Sequence, residues 1–386
     1  MKIFRDPIHN VIDLDTGDKA ANALIIQLID SMEFQRLRYI RQLGFAYFAY
    51  PSAMHTRFEH SLGVAFLAKR FVEKVVSMRD RILGYHTESA NLGKLEHFFT
   101  QISKDKPIII IAALLHDIGH GPLSHVFEHV TQYKHEDWTQ AIILGDTDIN
   151  RLLTDYHPDY PQAVCELLCA SGAPSSKIIA GQLDIDKIDY ILRDSYMTGA
   201  GYGKFDVEWL FNVLTVGIYK DQVEIGLDLG KGLSVAEDFI MARIYMFRNI
   251  YLHKTSVAAQ TMLELLLCEL RRLPFAEKYF PSESLKNALL DNAASLYDYV
   301  NITDDDVFAL LKCLRTAKEE MVSRLARGLL ERRLLKKGTA EAGTKKVMTY
   351  QADKDYILLF DKSGQGFPLH EKSKIIPAEV FEVHQI

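Results

Sequence analysis

The sequence predicts a mostly α-helical protein with a small C-terminal α+β appendage. Three observations carry this reading. Apolar residues recur every three to four positions through most of the first 335 residues, the period of a one-sided helix. The run from Ile108 to Leu115 is apolar on every face, the mark of a helix at a domain centre. After about Thr339 the pattern changes: KVMTYQADKDYILLFDKSGQG alternates apolar and polar residues between turn signals, which suits short strands.

In chain order, IFRDPIHNVIDLD carries Pro7, Asn10 and alternating apolar positions, and is expected to form a short hairpin. From Ala21 to about Gln42, Leu24, Ile25, Leu28, Ile29, Met32, Phe34, Leu37 and Ile40 keep helical spacing. Phe58 to Met78 reads as a further helix, with Leu62, Ala65, Phe66, Val72, Val75 and Val76 on one face. Residues 79–107 are polar, are punctuated by Gly84 and Gly93, and read as an irregular insertion or a short helix. Helical periodicity then covers about 136–145, 161–170, 184–195, 234–270, 282–298 and 303–335. We see no internal repeat. The expected organisation is a hairpin plus helical core over residues 1–270 and a helical and small β region over 271–386.

Hydrophobic residues make up 48% of the 386 and charged residues 25%, values that exclude disorder, collagen-like repeats and disulfide scaffolds. A net charge of −6 argues against a dedicated duplex-DNA binder. Cys165 and Cys169 stand four apart in an apolar stretch and read as buried core. The opening MKIFRDPIHN turns polar at once, unlike a signal peptide, and the longest apolar run is far too short for a bilayer. The expected setting is cytoplasmic, without membrane contact.

Chemistry concentrates in one stretch. Of fourteen histidines, His55, His60, His116, His120, His125, His129 and His135 fall between residues 55 and 135, with His86 and His97 in the polar insertion between them. His116-Asp117 directly follows the apolar run, and burying an imidazole beside a carboxylate without partners costs several kcal/mol, roughly. Metal coordination supplies a reason, since both groups suit a divalent transition ion or magnesium. His60 lies on the preceding helix, in HTRFEHSLG. LDIDKIDYILRD places Asp184, Asp186, Asp189 and Asp194 among apolar residues, so at least one faces inward. A His-His-Asp-Asp site follows, with the second aspartate left open among the four.

HTRFEHSLG, HDIGHGPLSH, LDIDKIDYILRDSYMTG and MFRNIYLHK together closely resemble the HD-domain deoxynucleoside triphosphate triphosphohydrolases. This family includes bacterial members and the vertebrate enzyme that joins an HD domain to a sterile alpha motif. The likeness extends upstream through DPIHNVIDL and FQRLRYIRQLG and covers about residues 1–260. It implies an HD-type helical phosphohydrolase core with one divalent ion (Mn, Fe, Zn, Ni or Mg) on His60, His116, Asp117 and Asp186. It implies attack on the α-phosphorus of a dNTP, releasing a deoxynucleoside and intact triphosphate. A histidine is the natural donor to the leaving 5′-oxygen. His125 matches the family's candidate acid, with His120 beside the α-phosphate and His135-Glu136 resembling a further pair. Glu128 or Glu136 could orient an imidazole.

By the same resemblance, Arg57, Lys187, Arg243 and Lys254 are expected near phosphate or sugar, with magnesium accompanying the phosphates. Tyr190 and Asp194 match positions lining the sugar, Gln42 one near the 3′-hydroxyl and Tyr251 one near the base. Lys2, Asp30, Gln35 and Arg38 resemble an activator site for GTP or a dNTP between subunits of a homotetramer. Two departures matter: Phe247 stands where the vertebrate pattern has histidine, and no sterile alpha motif precedes the HD-type sequence. Two other readings follow from the residues. One is an HD phosphohydrolase of another nucleotide, a nucleoside monophosphate or a signalling nucleotide. The other is a nucleotide-gated regulator that binds single-stranded nucleic acid through Arg324, Arg327, Arg332, Arg333, Lys336, Lys337, Lys345 and Lys346.

Overall fold

The expected N-terminal hairpin forms: β1 (Ile3–Asp6) and β2 (Asn10–Asp13) pair antiparallel, and Asn10 supplies a left-handed residue at φ 61°. The structure is a computed structural model that describes residues 2–85, 91–131, 134–169, 174–179, 181, 183–335, 348–350, 357–376 and 381–383. Helix α1 (Lys19–Asp30) starts where the Asp18 carboxylate accepts from the Ala20 and Ala21 N–H groups. The helical period runs on to Ile40, but the helix does not. Ser31 takes extended backbone, ends α1 and caps one short turn over Met32–Gln35, after which Arg36–Tyr39 tightens into a 3₁₀ helix. A serine hydroxyl offers the backbone an alternative to the helical ladder, so apolar spacing alone overestimates helix length here.

Helix α2 (Arg57–Ser77) opens on a Thr56–Glu59 capping box. Residues 79–107 are more regular than expected. A helix spans Arg79–Tyr85, and α3 (Leu92–Lys104) buries Leu95, Phe98, Phe99 and Ile102 on one face. Gly93 misled because it sits in the first turn, where a helix tolerates it best. Helix α4 (Lys106–Leu115) carries Pro107 in its first turn and is buried from Ile109 to Leu115. It packs along α2 at the centre of the molecule. Short helices α5 (His125–Thr131) and α6 (His135–Leu144) follow, and α7 (Ile185–Thr198) ends on Gly199 at φ 70°.

The hairpin β3 (Leu214–Tyr219) and β4 (Gln222–Asp228) was not anticipated. It leads into α8 (Leu229–Met246), a π-helical turn over Phe247–Tyr251 and α9 (Lys254–Arg271), so the single period over 234–270 belongs to two helices. In the last third, α10 (Asp304–Leu314) packs on α11 (Glu320–Leu330). Strands β6 (Leu358–Phe360) and β7 (Gly366–Pro368) belong to the small sheet region expected toward the C-terminus, and they are joined to the earlier hairpin. Strand β6 pairs parallel with β4, giving the sheet order β3-β4-β6-β7. A further pair joins β5 (Met348–Tyr350) to β8 (Phe381–Val383).

Two apolar cores result. One runs from Ile12 through α2, α4 and α7 to the four-stranded sheet, and the second gathers α9, α10 and α11 around Phe45, Phe127 and Trp138. We propose residues 1–270 as the HD-type region and 271–386 as a C-terminal region that shares both cores with it. Ile357 and Leu359 belong to the first core, Phe45 and Leu270 to the second. Cys165 is buried as expected, but Cys169 is exposed: it is the cap residue of its helix, where the apolar face has run out. Among the described residues no helix is long and apolar enough to cross a membrane. Arg324 and Arg327 stand on the exposed face of α11, Arg332 donates to the Phe48 carbonyl, and Arg333 pairs with Glu331. Lys336, Lys337, Lys345 and Lys346 lie outside the described residues.

Candidate metal and phosphoryl-transfer site

Three helices aim four side chains at one point. His60 comes from the second turn of α2, His116 and Asp117 follow the C-terminus of α4, and Asp186 lies in the first turn of α7. Nε2 of His60 lies 2.9 Å from Oδ1 of Asp186 and 3.5 Å from Oδ2 of Asp117, while Nε2 of His116 lies 3.4 Å from each of the two carboxylates. Both Nε2 atoms are buried, and neither makes a hydrogen bond. Polar atoms this close that are aligned with one another in no hydrogen bond face a common centre. Two imidazoles and two carboxylates are also the donor set that a divalent transition ion accepts, and three of them, His60, His116 and Asp117, offer ligand atoms within 4.8 Å of one another.

The opposite edges of both rings are fixed. Nδ1 of His116 donates to the Ala113 carbonyl at 2.8 Å, inside its own helix. Nδ1 of His60 donates to Oδ2 of Asp189 at 2.8 Å. A carboxylate can only accept here, so the tautomer that leaves Nε2 free for a cation is set by this contact. Burial alone would push the His60 imidazole down, but the carboxylates of Asp186 and Asp189 outweigh it and hold it up at about 10. The cluster demands positive charge. Asp189 in turn accepts from His9 at 2.6 Å and from Arg193, whose other arm reaches Asp6 at 2.7 Å. Gly63 of α2 makes room for this network: a Cβ there would collide with the Asp189 carboxylate and the Arg193 guanidinium. Asp189 was one of four open carboxylates in the sequence, and nothing in its spacing marked it as the partner behind His60.

A cavity of about 570 Å³ opens beside the cluster, within the range of roughly 300–1,000 Å³ usual for small-molecule sites. Arg57, Asp117, His120, His125, Glu128, His135 and Asp186 line one side, and Gln42, Tyr190, Asp194, Phe247 and Tyr251 another. Arg57 pairs with Asp117 and donates from Nε to Ser124 Oγ at 2.9 Å. Burial, with the Arg57 charge adding to it, pushes His120 well below the ordinary imidazole value, so its ring is neutral. His120 stacks on His135 with ring centroids 3.8 Å apart. Glu128 is the carboxylate that orients the imidazoles. Its oxygens lie 2.6 Å from His135 Nδ1 and 3.2 Å from His125 Nδ1, whereas Glu136 is 3.3 Å from His135 and 63% exposed. Burial works against the Glu128 charge, but hydrogen bonds from His125 and His135 hold this carboxylate far below its usual range.

On the far side, Asp194 accepts from Tyr251 O–H at 2.8 Å and from His55 Nε2 at 2.7 Å. His55 carried no sequence signal for that role. Lys187 is tied to Asp184 at 2.8 Å, Lys254 is exposed, and neither they nor Arg243 line the cavity. Arg243 does hold a buried Nε without a hydrogen-bond partner, and its charge acts on Tyr190. On another surface, Lys2 pairs with Asp30 at 3.0 Å, Gln35 donates to the Ile29 carbonyl, and Arg38 donates to Gln35 while lying 3.5 Å over the Phe58 ring.

A model of the HD domain matches residues 57–194, the stretch that carries all four cluster residues. The uncharacterized protein YwfO of Bacillus subtilis is 33% identical over 336 residues, 86% of this chain and 71% of that protein. The deoxynucleoside triphosphate triphosphohydrolase SAMHD1 of Gallus gallus is 28% identical over 385 residues, 90% of this chain and 57% of its own length. The corresponding Homo sapiens protein is 28% identical over 298 residues, 68% and 44%. The chain thus spans about half the length of these vertebrate relatives. Among solved structures, a phosphohydrolase from Bacteroides thetaiotaomicron shares the fold with a TM-score of 0.77, at 23% identity over 99% of this chain and 98% of that one.

This chain belongs to the HD-domain family of phosphohydrolases, in the branch that resembles the deoxynucleoside triphosphate triphosphohydrolases. HD domains bind divalent metal ions, and the His60–His116–Asp117 cluster could hold one.

Proposed function

We propose that this protein is a metal-dependent dNTP triphosphohydrolase that releases a deoxynucleoside and triphosphate. The observation that carries the reading is the pair of buried, unpartnered Nε2 atoms of His60 and His116, set against Asp117 and Asp186, which line a nucleotide-sized cavity. His60, His116, Asp117 and Asp186 would hold a divalent ion, which would supply Lewis acidity toward a phosphoryl oxygen and lower the pKa of a water nucleophile. The protein's own groups do the rest. Arg57 and neutral His120 hold the α-phosphate, the one by charge and the other by a hydrogen bond. His125, 59% exposed beside Glu128, donates the proton that the departing 5′-oxygen takes as its bond to phosphorus breaks. Tyr190 and Asp194 hold the sugar, Gln42 the 3′-hydroxyl and Tyr251 the base, while Lys187, Arg243 and Lys254 swing toward the triphosphate.

The reading extends to control and setting: a cytoplasmic homotetramer activated by GTP or a dNTP at Lys2, Asp30, Gln35 and Arg38. The Lys2–Asp30 pair is half exposed, so opening it for a nucleotide costs little. The deciding experiment is product analysis with each dNTP, singly and mixed, in Mg²⁺ or Mn²⁺ and with or without GTP. Deoxynucleoside plus intact triphosphate is expected, with turnover raised by the mixture or by GTP. Orthophosphate or a nucleoside monophosphate as product would redirect the substrate to another nucleotide.

A further inference from the structure

Leu123 and Ser124 stand between His120 and His125. Both take left-handed backbone, at φ 57° and 55°, although neither is glycine. Consecutive residues hold such a conformation only where their surroundings over-determine it. The contact comes from α10, far along the chain: Leu123 N–H donates to Oδ1 of Asp304 at 2.7 Å. The second oxygen, Oδ2, accepts from the Arg41 backbone N–H at 3.1 Å and from its guanidinium at 3.3 Å. Ser124 O–H donates to the Arg41 carbonyl at 2.9 Å, and Ser124 Oγ accepts from Arg57, the partner of Asp117. One buried carboxylate therefore ties together the strained turn, the segment that presents Gln42 and, through Arg57, the metal cluster.

Neighbouring bonds run the same way. Tyr299 O–H donates to the Gly119 carbonyl at 2.7 Å, and Arg36 bridges the carbonyls of Ile118 and Ile302. Asp304 is not needed to start its own helix, because Thr303 and Asp306 form the capping box of α10. Its side chain faces the loop instead.

We propose that Asp304 is a positioning residue for the reaction. It holds the Leu123–Ser124 turn so that His125 presents its ring to the cavity, and it fixes the approach of Gln42 through Arg41. The role of His125 in this statement rests on the triphosphohydrolase reading; the clamp on the turn does not. Asp304→Asn is the informative substitution. An amide has one acceptor oxygen, so it can satisfy Leu123 or Arg41 but not both.

The test combines hydrogen exchange with steady-state kinetics on the full-length, metal-loaded chain. In Asp304→Asn, exchange of peptide 118–126 is expected to quicken, while α4 stays protected and metal content is unchanged. The kcat for dNTP cleavage is expected to fall roughly tenfold or more with KM little altered, because displacement of a reacting group acts on the chemical step. Asp304→Ala is expected to show the same pattern, larger. An unchanged kcat in folded, metal-loaded Asp304→Asn overturns the proposal, as does exchange that quickens in α4 as much as in the turn. If the wild-type protein turns over no dNTP, the functional reading fails separately, and the exchange of peptide 118–126 alone decides the clamp: unchanged exchange overturns it.

Discussion

Oδ2 of Asp189 lies 2.8 Å from Nδ1 of His60, and the same carboxylate is shared with His9 and Arg193. The contact orients the imidazole and leaves its Nε2 facing Asp117 and Asp186. Removing such a partner lets the ring rotate and lowers its basicity as a ligand. Asp189→Ala is therefore expected to weaken metal affinity by roughly 10- to 100-fold, measured as metal retained after dialysis against a graded chelator. Asp189→Asn, which keeps an acceptor oxygen, is expected to lose less. Equal retention in wild type and Asp189→Ala would show that α2 and its packing orient His60 unaided.

Glu128 touches His125 and His135 at once, and its carboxylate is held in the charged form by both. In the triphosphohydrolase reading it steers the proton donor. Glu128→Gln is expected to slow product formation by about 10²-fold, the lower end of what a positioned acid contributes, with metal content unchanged. Glu136→Gln, removed from a largely exposed carboxylate, is expected to leave the rate nearly intact. A reversed order of the two effects would reassign the orienting carboxylate to Glu136.

The sequence and structure part company at identifiable places. The buried helix before His116 was legible because an all-apolar run of that length has few alternatives, and His116-Asp117 stood out as polar groups at its end. A site shared by the helices of His60, His116-Asp117 and one of the four aspartates was legible from the residues. The choice of Asp186 among the four came only through resemblance, since spacing does not state which carboxylate faces the point where the helices meet. The partner behind His60 was not legible at all. Asp189 is one of four aspartates within one stretch, and only the room that Gly63 leaves between two helices selects it. The β3–β4 hairpin was missed because its strands carry Gly217 and Gly226, which dilute the alternation. Those glycines sit where Phe360 packs closely across the sheet, a long-range cause invisible in a local window.

Asp304 also gives a pH dependence of stability. Burial raises its carboxyl from the ordinary 3.8 to about 6, against the pull of the Leu123 and Arg41 N–H groups and the Arg41 charge. Between about pH 4 and 6 the folded chain keeps a proton that the unfolded chain has already released. Its contribution to stability is therefore fully present below pH 4 and is lost as pH rises through 6, on the order of 2–3 kcal/mol in all. Asp304→Asn does not titrate, so its unfolding free energy is expected to fall less than that of wild type between pH 4.5 and 7. Parallel denaturant curves at the two pH values give the comparison. A wild-type-like difference in the variant would mean that the carboxyl titrates normally.

Tyr190 offers the sharpest check on the sugar. Its ring meets Tyr251 edge to face with centroids 6.1 Å apart, and Tyr251 is itself pinned by its hydrogen bond to Asp194. Asp194 is held from the other side by His55, so this wall of the cavity is rigid. In the triphosphohydrolase reading Tyr190 stands beneath C2′, where an aromatic wall rejects a ribose hydroxyl by lack of space rather than by a lost hydrogen bond. Steric selection of this kind depends on the ring and not on the phenol oxygen. Tyr190→Phe is therefore expected to keep the preference for dNTP over NTP, and Tyr190→Ala to reduce it by roughly tenfold or more, the scale of one added or missing group in a pocket. Competition between a dNTP and its ribonucleotide, followed by product analysis, measures the ratio directly. If Tyr190→Ala discriminates as well as wild type, the ribose is excluded elsewhere in the cavity. If Tyr190→Phe loses the preference, the hydroxyl is the discriminating atom.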